Sequence, residues 1–527
     1  MKADLTRNSF HPLKHFTRVI MQQGRVQLDA DWNEQAAILL RYLQALAADL
    51  IGPAGGPETN LGFQIAGGNT TDFAISPGHY YVDGILCELA SPSAPVSITG
   101  VPGQSKEFQI PATSVASFIQ GQPVLLSAEG QCVVANIQGV TAAGVVTLDT
   151  DVSAILSVTN PVAYTKFITY RTQPDYPVCN KLMLQSNLIY LDVWERLVTY
   201  VEDDSIREVA LDGADTAART KLICQVKAWS GQQPCNADLK SHFQPANRGF
   251  LVAQAQQTSV STNPCVIAPN ASYSGPENQL YRVEIHTGSK DANGNTLTPT
   301  FKWSRENGSV IFPIVSLTPS SAGTGSAATT TVVLENLGRD DRFGLSENDW
   351  VEIVDDDYVL LNSAGTLLQV QSIDSANLTV ILSGTPSSKV GQYPSKHPLL
   401  RRWDQTCGDP AQGGLQLGSD NAALIVEATS GPMWLNLEDG IQIQFQPAPK
   451  GSTNEYRTGD YWLIPARTAI ANVEWPTDSS GAPIALPPDG VDHHYASLAV
   501  IDVQENSIVA RSCQQTFLPL TEPVKTK

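Results

Sequence analysis

The chain has 527 residues, and at ~150 residues per domain that length exceeds a single hydrophobic core and leaves room for roughly three or four units. Charged residues make up 16% of it against about 25% in typical soluble domains, with Ser, Thr, Asn, Gln and Gly in their place, a mixture common in extracellular β proteins and in subunits of large assemblies. The net charge of −19 speaks against nucleic acid as the main partner, because phosphate recognition concentrates Lys and Arg, and no stretch approaches the ~18 apolar residues of a membrane span.

The N-terminal 35 residues, MKADLTRNSFHPLKHFTRVIMQQGRVQLDADWNEQ, are dense in amides, charges and aromatics. Arg7, Lys14, Arg18, Gln22, Gln23 and Arg25 interrupt every apolar run, so the segment does not read as a secretory leader. A helix follows. Asp31 and Glu34 have capping-box spacing, Ala36, Leu39, Leu40, Leu43, Ala47 and Leu50 recur as one apolar stripe, and Gly52-Pro53 ends it. The next segment, PAGGPETN, reads as a loop.

Beyond it the pattern turns to strands. HYYVDGILCELA, NLIYLDVWERLVTYV, NQLYRVEIHTG, TFKWSRENGSVIFPIV, DWVEIVDDDYVLL, IQIQFQ, DYWLIPAR and YASLAVIDV are short, rich in β-branched and aromatic residues, and bounded by turn formers. A short helix is expected over Ala214 to Leu222. TVVLENL with NDWVEIV, and LLQVQSI with LTVILSG, read as consecutive antiparallel strands. The expected fold class is mainly β: multidomain antiparallel sandwich or barrel units with one N-terminal amphipathic helix. The expected domains are an arm and helix at 1–58, a first β domain at 59–230 with a small module inserted at about 101–165, and a second β region at 231–527 with a module inserted at about 325–390. An internal echo motivates the two inserts. Residues 121–150 and 348–384 share a strand, a loop and a closing strand, with Val134, Ile137, Val146 and Leu148 parallel to Val370, Ile373, Val380 and Leu382. The low-complexity stretch SLTPSSAGTGSAATTT reads as a loop leading into the second module.

Sites of chemistry are sparse. The eight cysteines form no CxxC pair, and read as buried thiols with room for one or two disulfides. The G-x-G-x-x-A loop starting at Gly323 lacks the strand before it and the helix after it that a dinucleotide fingerprint needs. His493 and His494 are adjacent, and strand neighbours point to opposite faces. His11 and His15 have helical ligand spacing, but Pro12 takes His11 out of helical geometry. Asp291, Asn293 and Asn295 alternate like the first ligands of a calcium loop, yet Lys302 stands where the bidentate Glu belongs, so a turn is the plainer reading. Asp355-Asp356-Asp357 reads as the cap of a solvent-facing strand end. Carboxylates adjoin aromatics at Trp194-Glu195, Trp303 to Glu306 and Glu438-Asp439; a glycosidase would need two of them about 5–10 Å apart. Most of the nine tryptophans read as core.

The string MQQGRVQLDADWNEQ, with MKADLTR and HPLKH before it, resembles a bacterial family associated with phage-tail-like contractile injection systems. The resemblance extends through YLDVWERLVTYVEDDSIREVALDGADTAARTKLICQVK, ENQLYRVEIHTG, TFKWSRENGSVIFPI, DWVEIVDDDYVLL, EYRTGDYWLIPARTA and DHHYASLAVI. Ala3 and Leu5 depart from the family pattern, which tends to Gly and Phe there. The resemblance carries no catalytic motif, and so implies a non-enzymatic structural subunit without cofactor or metal: a baseplate adaptor, a tail-fibre-like appendage or a cap component. It implies a homo-oligomer, most simply a trimer, whose other partners are structural proteins of the particle. Such particles assemble in the cytoplasm and are released or anchored to a membrane. The N-terminal segment is the expected anchor, through Gln22, Gln23, Arg25, Asp29, Asp31, Trp32 and Asn33, because Arg offers a forked donor and Trp is a frequent interface anchor; the plainer alternative is that these residues pack the helix onto its own domain. A receptor- or glycan-binding protein is the second expectation, with solvent-facing aromatics, and a glycan hydrolase the third.

Overall fold

The computed structural model describes residues 1–68, 71–177, 186–255, 273–291, 294–321, 327–340, 342–429, 433–503 and 508–518. The chain is mainly β, with one long helix among the described residues, α1, at Asp29–Ile51. It divides into two compact units, one of residues 1–38, 196–221 and 245–491, the other of 39–195, 222–244 and 492–527.

In the second of these units the strand Ser186–Val198 is buried almost end to end, which suits its near-continuous run of Leu, Ile, Val and aromatics. It lies between Arg219–Ser230 and His494–Val503, pairing Asn187 with Ile501 and Leu191 with Ala496. Ile189, Leu191 and Val193 join Phe63, Phe73, Tyr170 and Ile501 in its core. The expected helix at 214–222 is absent; Thr220 to Trp229 belongs to the edge strand Arg219–Ser230, where sheet pairing overrides the helical preference of Ala and Arg. PAGGPETN is also more than a loop, since Ala54–Pro57 is a strand paired with Gly78–Val82. A disulfide joins Cys235 and Cys513. Cys87, Cys132, Cys224 and Cys407 are free thiols, and Cys179 and Cys265 lie outside the described residues.

In the other unit a five-stranded sheet is centred on Gln279–Ile285, flanked by Thr300–Ser304 and Tyr461–Arg467. Strand alternation divides the central strand. Tyr281, Val283 and Ile285 enter a core with Phe301, Trp303, Phe445 and Trp462. Arg282 and Glu284 therefore face the other way, and both are buried.

Each unit also carries a small barrel-like module, a seven-stranded sheet in one and a closed barrel in the other. The first is built from β1 (Val96–Ser97), β2 (Thr99–Gly100), β3 (Glu107–Gln109), β4 (Pro123–Ala128), β5 (Gln131–Val140), β6 (Val145–Leu148) and β7 (Val162–Tyr164), in the order β1-β7-β4-β5-β6-β3-β2. Its two end strands are separated by Ile98 alone, so the ring of pairings runs back to one chain segment. The second is a closed barrel of β8 (Ile311–Ser320), β9 (Thr329–Leu334), β10 (Trp350–Val354), β11 (Leu367–Asp374), β12 (Thr379–Ser383) and β13 (Leu399–Trp403), in the order β8-β9-β12-β11-β10-β13. With β1 and β2 taken as one interrupted strand, the two have the same connectivity.

The match extends to single bonds. A bulge follows Ile137 opposite Leu148, and another follows Val370 opposite Leu382. Gly121 N donates to Ile137 O as Asn348 N donates to Val370 O, at 2.7 and 2.8 Å, and both donors have left-handed backbone, φ 85° and 74°. Ile98 N donates to Pro161 O, and Ile314 N to Pro398 O. Asp149 Oδ1 accepts from Asn136 N, and Ser383 Oγ from Gln369 N. The ladders thus pair Ile137, not Val134, with Val370; the alignment read from sequence is three residues out on that strand, because it could not see which residue the bulge leaves unpaired. The stretch around residue 320 is not simply a loop, since both its ends lie in β8 and β9. TVVLENL does not pair with NDWVEIV either: β9 lies between β8 and β12, whereas LLQVQSI and LTVILSG do pair, as β11 and β12.

Left-handed backbone is open to Gly and tolerated by Asn, but a β-branched side chain crowds the adjacent carbonyl there. Asn348→Gly is therefore expected to stay within about 0.5 kcal/mol of the parent, and Asn348→Val to cost about 1–2 kcal/mol, in urea unfolding of the full-length chain.

Candidate partner interface

The N-terminal arm begins on the charged face of the central strand. Lys2 Nζ lies 3.0 Å from Glu284, which also meets Arg282 Nε at 2.6 Å and Lys302 Nζ at 3.5 Å. Asn307 Nδ2 donates to the Met1 and Ala3 carbonyls at 3.0 and 2.8 Å. Lys302 continues to Glu352 at 2.7 Å, and Trp403 Nε1 donates to the same carboxylate at 2.8 Å. Burial alone would push the Glu284 carboxyl up; Lys2, Arg282 and Lys302 together outweigh it and hold it far below the ordinary range. Burial likewise brings the Lys2 ammonium down to about 8, opposed by Glu284.

The arm is then tied at Thr6, Arg7, Ser9 and Val19. Arg467 Nη2 donates to Thr6 O at 3.0 Å, and Arg7 meets Glu474 at 3.2 Å. Thr6 N and Oγ1 both donate to Asp29. Ser9 Oγ donates to Glu34 at 2.6 Å, and Val19 N to Gln35 at 2.8 Å. The helix consequently starts at Asp29, two residues before the expected cap, and Glu34 holds Ser9 rather than closing a capping box on Asp31. Its end is as read: Gly52 has φ 93° and its N donates to Ala48 O at 2.8 Å.

The face that α1 buries is not its apolar stripe. Ala30 and Ile38 are buried and Glu34, Ala37, Gln44, Ala48 and Ile51 half-buried, a row of mostly small or polar side chains. The chain comes close there: a Cβ on Gly84 would lie 1.9 Å from Gln44 O, so only glycine fits. Leu39, Leu40, Tyr42, Leu43, Leu46 and Leu50 point away and are exposed, as are Leu13, Phe16, Ile20, Met21, Val26 and Leu28 of the arm. Monomeric proteins rarely expose so many large apolar side chains along one segment without a use for them.

The expected anchor residues divide accordingly. Asp29 is spent on Thr6, and Asp31 is half-buried. Gln22, Gln23, Arg25, Asn33 and Trp32 are exposed, and Trp32, at 76%, is the one exposed tryptophan among the described residues. The sequence places the expected anchor in this segment and shows the leucines as one apolar stripe, without saying what covers it.

The chain matches the model of a family of unknown function, DUF6519, over residues 1–136, 152–249 and 239–525. It belongs to that family. No curated protein matches it. The DUF6519 match takes in the arm, α1 and the whole second barrel, and leaves out 137–151, the bulge and closing hairpin of the first.

The other candidate residues of this DUF6519 chain are drawn into local structure. His11 Nδ1 accepts from Leu13 N at 3.2 Å, and His15 has φ 54°. His493 and His494 diverge, to Asp192 at 2.6 Å and Asp83 at 2.8 Å. Asp291 accepts from Asn295 N and Nδ2 at 2.8 and 2.7 Å, which closes a turn; Asn293 lies outside the described residues, as does Gly323. Asp355 caps a short helix, Asp356–Leu360, rather than a strand end, while Asp356 and Asp357 meet Arg196 and Lys396. Of the carboxylates that adjoin aromatics in the sequence, Glu306 and Glu438 share Asp404 as a charged neighbour. Glu438 accepts from Arg305 at 2.7 Å and Tyr281 at 3.0 Å, Arg305 also faces Asp404, and Arg342 holds Glu306. Burial raises both carboxyls to about 7, with Asp404 adding to the rise at each.

Glu284→Gln strands three cations at a buried site and is expected to cost about 3–5 kcal/mol in chemical denaturation. Glu306 and Glu438 hold their protons more tightly in the folded chain than in the unfolded one. Their contribution is complete below about pH 4.5 and lost as pH rises through about 7. Unfolding measured at about pH 5 and about pH 8 should show a smaller difference in Glu306→Gln than in the parent.

Proposed function

We propose that this chain is a structural or accessory subunit of a phage-tail-like contractile injection system, attached to the particle through its N-terminal segment. The observation that carries the reading is the outward apolar face of an arm and helix that are themselves firmly seated. Six large apolar side chains of the arm, from Leu13 to Leu28, are solvent-exposed, while the arm is tied before them through Lys2, Thr6, Arg7 and Ser9 and among them through Val19 N on Gln35. A surface held in place before it meets its partner loses little conformational freedom on binding. The strings MKADLTR and MQQGRVQLDADWNEQ that carry the resemblance to injection-system proteins lie in the same segment. A sugar-stacking platform has less behind it, because the tryptophans other than Trp32 are buried or half-buried.

Deleting the arm would also remove Lys2 from Glu284, so substitutions on the outward face are the cleaner test. Phe16→Ser, Ile20→Ser and Val26→Ser combined should leave urea unfolding within about 0.5 kcal/mol of the parent, since exposed positions are tolerant. In cells that make the particle, co-sedimentation of the variant with it should fall at least about tenfold, the equivalent of about 1.4 kcal/mol. Particles that retain the variant at normal stoichiometry would sink the reading.

A further inference from the structure

The exposed residues of α1 fall into a regular seam. Trp32, Ala36, Leu39, Leu43, Leu46 and Leu50 are spaced 4, 3, 4, 3 and 4 residues apart, the a/d alternation of a coiled coil, over just under three heptads. Every one of them is in the exposed class; Leu43, Leu46 and Leu50 keep 65, 59 and 69% of their surface. Most of the b, c and f positions, which an isolated coiled coil gives to solvent, are here turned inward: Ala30, Glu34, Ala37, Ile38, Gln44, Ala48 and Ile51 are buried or half-buried, while Arg41 and Ala45 are exposed. The seam therefore stands on the side opposite the helix's own support.

We propose that the seam is occupied by α1 of a second copy of this chain, so that identical subunits associate through a short coiled coil; this rests on reading the N-terminal segment as an assembly surface. Two observations favour a like copy over a different partner. The flanking e and g positions are Asn33, Gln35, Leu40, Tyr42, Ala47 and Asp49, with a single charge among them. Coiled coils choose unlike partners through complementary charges at these positions. Here there is almost nothing to complement, and almost nothing to repel an identical helix in a chain of net charge −19. The second observation is area. Trp32, Leu39, Leu40, Tyr42, Leu43, Leu46 and Leu50 together leave on the order of 800 Å² uncovered on each copy, which is the amount each partner contributes to a stable interface of standard size. A symmetric pairing places equivalent leucines against one another, as closed oligomers require.

The test is the mass of the purified full-length chain by sedimentation equilibrium, beside a Leu43→Glu, Leu46→Glu variant. The parent should sediment at a multiple of 56.6 kDa and the variant at 56.6 kDa, with the same β circular dichroism. A Leu43→Cys variant adds an independent readout: under mild oxidation it should cross-link to residue 43 of another copy, identified by peptide mass. A parent that is monomeric up to its solubility limit overturns the proposal, and so does a Leu43→Glu, Leu46→Glu variant that stays oligomeric. A monomeric parent that still co-sediments with particles overturns this proposal alone. An oligomeric parent whose Phe16, Ile20 and Val26 variant stays on the particle overturns the attachment reading alone.

Discussion

Glu284 is the fixed point to which the N-terminal arm of this protein is tied. It is a carboxylate buried on the back of a central strand, and an isolated buried charge is costly enough that it must be neutralised or paired. Arg282 two residues away and Lys302 on the neighbouring strand supply part of the pairing, and Lys2 brings the third charge from the arm. The arm is thus tied where it starts, and its later bonds to Glu474, Asp29, Glu34 and Gln35 follow the same path to α1. A helix held by its polar and small side is free to turn its leucines outward.

That arrangement explains why the sequence was a good guide to elements and a poor one to the helix. Periodicity tells which side chains share a face; it does not tell what covers the face. Leu39, Leu43 and Leu50 form the stripe that amphipathic reasoning assigns to a core, but the row containing Ala37, Gln44 and Ala48 lets backbone come close at Gly84, and that close approach decides the contact. The strands were easier, since β-branched runs between turn formers carry their own signal. The segment 219–230 and the pairing of β9 were missed because both depend on a partner distant in sequence.

The two barrels illustrate the same limit from the other side. Their echo was legible because Val146 and Leu148 repeat as Val380 and Leu382 on the closing strand. The strand before it was misaligned, since a bulge changes the count of residues without leaving a mark in composition. Glu306 and Glu438 were visible only as carboxylates beside aromatics. Their common neighbour Asp404 is far from each in sequence and close in space, and it is burial among such neighbours that lifts both to about 7.

In the proposed role, the outward face of the arm and α1 is surface kept for assembly. Hydroxyl-radical footprinting of the free full-length chain and of the particle-bound chain tests it directly. Trp32, Tyr42, Leu43 and Phe16 should be oxidised readily in a free monomer prepared by dilution and protected in the particle, while the strand from Gln279 to Ile285 is protected in both. Equal oxidation of these four residues in the free and bound chain would contradict the claim.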